Sequence, residues 1–384
     1  MKISKRVIVI VTGFILSVIL ILTSGFFRSA EYEIPYYLML DEFNIERARI
    51  LYTDNSRLSP DPYIDRLYLG IQTIEIEVLS GEFRGQRFRI ENTLNRFFNH
   101  MAAENMVMLF NIRSNDGVVL HINMFGYTRN NFVFAFIGIF FAALIAVGRM
   151  KGLYSVLSLM FTSVMVVFFL IPFILRGHNP ILMAVLTAAL TTVFAIFLVS
   201  DVSLKSFAAI GGTIAGVAIA GVISVIAGSF ARISGMQMHH VSELIYHVRD
   251  LDVRIPELLF AGIVISALGA VMDVSVSISS AVFEMKELNP EMDVKRLYKS
   301  AMNIGRDIIG TMSNTLILAF AGSSLIMMII IAMSRFPYVQ FINLNVLAIE
   351  LIQAVSASIG LVLAVPLTAV FSAVLAVRGE GLTA

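Results

Sequence analysis

The chain has no cysteine and no tryptophan, and only 14% of its 384 residues are charged. The missing cysteines exclude disulfides, thiol catalysis, cysteine metal sites and a lipid anchor on an N-terminal Cys. Scarce charge beside 58% hydrophobic residues and a mean hydropathy of +0.84 excludes an ordinary soluble enzyme. Nine prolines and 25 glycines lie among long apolar runs, which excludes collagen, coiled coil and disorder. A formal net charge of +1 leaves no basic surplus for counterion release, so nucleic acid is not an expected partner. No G-x-S-x-G, Walker loop or S-x-x-K motif occurs, so nothing supports an intramembrane hydrolase or an ATP-driven pump. No enzymatic activity and no cofactor are expected. The composition that remains is that of an α-helical polytopic membrane protein surrounded by lipid.

Lys2, Lys5 and Arg6 precede an apolar run from Val7 to Phe27. This run is longer than the ~7–15-residue core of a signal peptide and lacks an A-x-A-like site, which favours a membrane anchor over residues 1–27. Under the signal-peptide alternative, cleavage falls near Thr23-Ser24-Gly25. Further runs of spanning length lie at 132–148, 153–175, 181–200, 207–230, 257–280, 308–333 and 345–375. The expectation is about eight transmembrane helices, seven of them in a membrane domain over 132–378. Threading the chain with its N-terminus inside puts Arg149, Lys151, Lys205, Lys286, Lys295, Arg296, Lys299, Arg306 and Arg378 on the cytoplasmic side with Lys2, Lys5 and Arg6. Only Arg176, Arg232, Arg249, Arg254 and Arg335 fall in the short outer segments, as the positive-inside rule requires. The protein is thus expected in a cell membrane with both termini, including the 379–384 tail, in the cytoplasm.

Residues 28–131 form the one large polar block, with 14 acidic and 11 basic residues, and the threading places it outside the membrane. Ile74, Ile76 and Val78 alternate with Glu75 and Glu77, and Phe88 and Ile90 with Arg87 and Arg89. Val118, Leu120, Ile122 and Met124 alternate with Val119, His121 and Asn123. Ser114-Asn115-Asp116-Gly117 suits a hairpin turn. The block is predicted to be a small, mainly-β extracytoplasmic domain between helices 1 and 2, an antiparallel barrel or sandwich with no catalytic constellation.

The stretch from Gly148-Arg149-Met150-Lys151-Gly152-Leu153 to Val365-Pro366-Leu367-Thr368 resembles the bacterial YibE/F membrane protein family. The most specific pieces are Gly269-Ala270-Val271-Met272-Asp273-Val274, followed by Ser277-Ile278-Ser279-Ser280-Ala281, and the run Asn303-Ile304-Gly305-Arg306-Asp307 continuing to Gly322. Gly177-His178-Asn179-Pro180 also fits. An N-terminal anchor with an extracytoplasmic part resembles the longer, YibE-type member. That resemblance implies a partner in a shorter relative lacking this part, with a homo-oligomer as the alternative. It implies architecture and candidate residues, and no reaction.

On the sixth run Ser266, Asp273, Ser277, Ser280 and Glu284 share one face of a 3.6-residue helix. On the seventh, Asn303, Asp307, Gly310, Asn314 and Ala321 do the same, with Thr311 beside them. A carboxylate within the bilayer costs at least ~2.5–3.5 kcal/mol, so Asp273 is expected to face protein, water or a cation. At ~1.5 Å per residue, Asp273 and Asn314 come level in the cytoplasmic half. They offer oxygen ligands for a monovalent cation or a protonatable site, with Ser277 and Thr311 adding hydroxyls. The plainer reading is a hydrogen-bond network that only holds the bundle.

Glu350, sharing a face with Gln353, either lines an outer vestibule or snorkels to the interface. Gly212-x-x-x-Gly216 and Gly216-x-x-x-Ala220 permit close helix packing, or a sliding surface in a carrier. His240, Glu243 and His247 fall at i, i+3 and i+7, a weak metal pattern that competes with surface or pH-sensing histidines. The resulting expectation is a secondary transporter or permease with its polar site between helices 6 and 7. The alternative is a non-transporting scaffold or sensor whose outer domain binds a partner or envelope component.

Overall fold

The computed structural model describes residues 5–23, 44–115, 117–238, 241–247 and 252–379. The chain divides into two compact units, one over residues 33–143 and the other joining 1–32 to 144–384.

In the first unit five strands form one antiparallel sheet: β1 (Asn44–Pro60), β2 (Tyr68–Val78), β3 (Arg87–Leu94), β4 (Val107–Asn115) and β5 (Val118–Tyr127). Their order is β3-β2-β1-β4-β5. The edge strands β3 and β5 approach each other without pairing, so the sheet curls into a partly open barrel with the strand order of an OB-type barrel. The alternation read from sequence lies on the inner wall of β2, where Ile74, Ile76 and Val78 are fully buried beside Ile50, Met108, Phe110 and Ile112. Gln72, also fully buried, is satisfied on both sides of its amide. Its Nε2 donates to Asn55 Oδ1 and Ala102 O, both at 2.8 Å, while its Oε1 accepts from Ala102 N at 3.0 Å. These bonds tie the loop after β3 to the barrel wall.

The second unit is helical. After α1 (Lys5–Thr23) the chain re-enters this unit within α2 (Asn130–Met165), which runs through a π-helical turn at Val166–Leu170 into α3 (Ile171–Leu175). There follow α4 (Pro180–Ser200), α5 (Leu204–Ala231), α6 (Val241–His247), α7 (Ile255–Leu288), α8 (Val294–Ser323), α9 (Leu325–Met333), α10 (Tyr338–Ile342) and α11 (Asn345–Gly379). Side chains cap three of the long helices. Asn179 accepts from Leu182 N, Ser203 from Ser206 N and Asp293 from Arg296 N.

Among the described residues, five helical segments are long and apolar enough to cross a membrane: Asn130–Leu175, α4, α5, α7 and α11. The pair α8 and α9, bent by 65°, makes a sixth if it counts as one span, and Val7–Thr23 is a shorter apolar helix. The sequence divided Asn130–Leu175 in two, and the backbone has a break at that place. Arg149 has φ 49 and ψ −127. A Cβ on Gly152 would strike the carbonyl oxygen of Leu144, eight residues earlier, whereas eight residues of straight helix advance ~12 Å. The chain therefore turns sharply at Arg149, and only glycine fits the inner corner at 152.

The centre of the helical unit is the packing of α5, α7 and α11. Small residues make it possible: Gly216 of α5 lies against Ala364 and Gly360 of α11 and Val271 of α7. Hydroxyls then join the helices, Thr368 Oγ1 to Ser275 Oγ at 3.1 Å and Ser279 Oγ to Lys205 O at 2.7 Å.

Candidate functional site

A cavity of about 570 Å³ lies between the second arm of α2, α4 and α7. Asp273 and Ser277 of α7 line it, one helical turn apart. The facing walls carry Ser155, Ser158 and Thr162 of α2 and Thr187, Thr191, Thr192 and Ser200 of α4. Gly269 leaves the α7 wall open, since a Cβ there would meet nothing within 4 Å. Ser155 near the turn at Arg149 and Ser200 at the end of α4 place the cavity toward the end of the bundle that carries Arg149, Lys151 and Lys205.

The hydrogen bonds determine the chemistry of this lining. Four hydroxyl protons are already used within their own helices: Ser155 donates to Lys151 O, Thr162 to Ser158 O, Thr187 to Met183 O and Thr191 to Thr187 O, at 2.7–3.0 Å. What such an oxygen has left to offer is its lone pairs. Thr192 Oγ1 is buried with no hydrogen-bond partner among the described residues. The only formal charge on the described lining is the Asp273 carboxylate, and no Lys, Arg, His, Asn or Gln faces it. Much of the lining is apolar, and its polar part is eight hydroxyls and one carboxylate with no positive charge, a set suited to a cation or a proton. The π-helical turn that begins at Val166, itself a lining residue, is an irregularity often found at functional sites.

The sequence-derived candidates divide into three groups. Asp273 and Ser277 meet in the cavity, which is open enough to leave both exposed, and Ser280 follows half-buried on the same face of α7. Asn303, Asp307, Thr311 and Asn314 of α8 contribute nothing to its walls. The face of α8 that packs on α7 and α11 carries Leu297, Ala301, Gly305 and Leu316, which turns the polar face outward and leaves those four residues exposed. There Asn303 Oδ1 accepts from Arg306 at 3.1 Å, and Thr311 donates to Ile308 O at 3.0 Å. The residues that share this pocket with Asp273 are thus on α2 and α4, and none is on α8.

Glu350 lies apart from these, with Gln353 and Gln237 in a small pocket of about 140 Å³, and its Oε2 is buried without a partner among the described residues. The metal pattern falls largely outside the structure: His240 is not among the described residues, nor are the side chains of Glu243 and His247. Among the described residues no group of three or more His, Asp or Glu is placed to hold a metal ion.

The seven hydroxyls that α2 and α4 contribute to the lining were not singled out from sequence. A signal existed, since Ser155, Ser158 and Thr162 are spaced i, i+3, i+7, and Thr187 and Thr191 i, i+4. The family model described as YibE/F-like protein matches residues 136–378, a span that contains the whole cavity. No curated protein and no solved structure matches the chain.

Proposed function

The chain belongs to the YibE/F-like family, and from the cavity at Asp273 we propose that it is a secondary transporter or permease moving, or coupled to, a monovalent cation or a proton. The observation that carries this reading is a pocket of about 570 Å³ in which eight hydroxyls share the lining with a single carboxylate. A carboxylate used only as bundle glue would be expected to meet donors, as Thr368 and Ser275 meet each other. In this reading Asp273 holds the ion or proton, Ser277 and the α2 and α4 hydroxyls complete its oxygen shell, and no covalent chemistry takes place.

The same proposal includes the topology. Counting α1, the two arms that meet at Arg149, α4, α5, α7, the bent α8–α9 pair and α11 gives eight spans with both termini cytoplasmic. The cavity then opens in the cytoplasmic half and the barrel lies outside. The outward polar face of α8 supports assembly with a second copy or a shorter relative, because Asp307 and Asn314 are costly to leave against lipid. That face is also what favours the rival reading, a scaffold or sensor.

Solvent access separates the two readings. The protein has no cysteine, so Ser277→Cys creates a single, nearly isosteric thiol in the cavity wall. In native membranes it should react with a small charged methanethiosulfonate reagent and be protected by the transported cation. A thiol that stays unreactive until the protein is unfolded would favour the scaffold.

A further inference from the structure

The barrel presents three aromatic side chains to solvent at one end. Tyr63 is 83% exposed, Phe97 92% and Phe98 67%. They are not on slack loops. The carboxylate of Asp61, itself buried, accepts from Tyr63 N at 2.8 Å and Ile64 N at 3.1 Å, which folds the β1–β2 loop and turns Tyr63 outward. Asn95 Oδ1 accepts from Phe97 N and Phe98 N, both at 2.8 Å, and so presents both rings. Arg96 binds Asp61 at 2.6 Å and lies over the Tyr63 ring at 5.2 Å, which joins the two loops. Two rigid turns thus hold apolar rings in water, an arrangement that costs free energy unless something covers them.

The chain path identifies the covering. Just after Phe98, His100 packs edge-on to Tyr127 at 5.4 Å, and the Tyr127 hydroxyl donates to Met101 O at 3.2 Å. Tyr127 ends β5, and three residues later Asn130 starts α2, whose first turns expose Phe132, Phe134 and Phe136. Three residues reach ~10 Å at most. The aromatic end of the barrel is therefore the end from which the chain leaves for a membrane-crossing segment. The opposite end carries the β4–β5 hairpin, with Val118.

We propose that Tyr63, Phe97 and Phe98 are seated in the lipid interface of the leaflet through which α2 passes, docking the barrel on the bilayer. Aromatic rings with adjacent arginines, here Arg96 and Arg129, have the composition of a membrane interface belt, where rings sit at headgroup depth and guanidinium groups meet phosphate. The occupant is lipid, not a second protein.

The test uses the absence of tryptophan. Phe97→Trp and, at the far end, Val118→Trp each put one fluorophore at an exposed site in the full-length protein. Each variant is reconstituted in phosphatidylcholine vesicles with or without lipid brominated near the headgroup end of its acyl chain. Phe97→Trp should emit blue-shifted light, be quenched by brominated lipid and be protected from iodide, while Val118→Trp should behave oppositely. Equal iodide quenching at the two sites would place the tips in water and overturn the proposal. Protection from iodide without quenching by brominated lipid would overturn it in favour of a protein partner. Tyr63→Trp repeats the measurement on the other loop if Phe97→Trp misfolds.

Discussion

Replacing Gly216 with alanine adds one methyl group where α5, α7 and α11 meet. An ideal Cβ at 216 lies 2.6 Å from Ala364 Cβ, 2.9 Å from Val271 Cγ1 and 3.1 Å from Gly360 O. Carbon atoms rest at ~3.5–4.0 Å, so the helices must separate by about 1 Å. Two of the three obstacles are a backbone carbonyl and an alanine Cβ, neither of which can rotate away. Overpacking of this kind costs ~1–3 kcal/mol, offset by ~0.5–1 kcal/mol because alanine is the better helix former. Gly216→Ala should therefore destabilise by about 1–2 kcal/mol. Gly262 on the open face of α7 is the control, because a Cβ there meets nothing within 4 Å. Gly262→Ala should stabilise by ~0.5–1 kcal/mol. At ~2–4 °C per kcal/mol the two variants should melt roughly 3–12 °C apart in detergent, followed by far-UV circular dichroism. A Gly216→Ala protein that melts with or above Gly262→Ala would refute the close three-helix crossing.

With no native cysteine to interfere, Arg176→Cys should react with an impermeant maleimide in intact cells and Lys295→Cys should not; labelling of Lys295→Cys would overturn the eight-span threading. Thr368→Val and Ser275→Ala should show a coupling near the ~0.6 kcal/mol average for membrane hydrogen bonds in a double-mutant cycle of detergent melts, and additive effects would remove the bond from the account. Residues 28–131 should fold as a β domain by themselves, since their buried cluster is drawn from their own strands and loops; a random-coil spectrum would contradict this. In that domain the hydrogen bond from Arg96, followed by those from the backbone, holds the Asp61 carboxyl below the usual carboxylate range. Because the folded value is the lower one, Asp61 contributes stability above its unfolded pKa of ~3.9 and loses it as pH falls through the folded value. Asp61→Asn should flatten the acid limb of the stability profile, and an unchanged limb would exclude Asp61 as its source.

Much of this architecture is legible in the residue pattern, and the exceptions have physical causes. The alternation at Ile74, Ile76 and Val78 marks β2 because β2 pairs in regular register with β3 there and the extra residue opposite it belongs to β1. By contrast β1 escapes notice, since register shifts between Ile50 and Tyr52 and between Asp54 and Arg57 reset the inside-outside alternation twice in 17 residues. Val118 and Leu120 continue the apolar alternation in sequence but are exposed, because Leu120 is an extra residue opposite the step from Arg113 to Ser114 and the shifted phase turns Val119 to the core instead. The polar stripe on α7 is visible in its 3.6-residue spacing, and helical rise gives the depth of Asp273. Neither quantity says which neighbour the stripe faces. α8 was the natural choice as the next helix in sequence, but the azimuth of α8 depends on how Leu297, Ala301 and Gly305 seat against α7 and α11. Serine and threonine on α2 and α4 are silent for a related reason: back-bonded to their own helix, they read as ordinary packing residues until a cavity is found beside them.

The central claim is that the Asp273 carboxylate carries the ion. Asparagine nearly matches aspartate in shape and keeps one carbonyl acceptor, but it cannot ionise. The most direct measurement is charge movement after sodium, potassium or proton concentration jumps on proteoliposomes adsorbed to a solid-supported membrane, paired with detergent melting temperatures. Wild-type protein should give a transient current for at least one of these ions, and Asp273→Asn should abolish it at an unchanged or slightly higher melting temperature. A current that survives Asp273→Asn, or a wild-type protein silent to all three ions, would contradict the account.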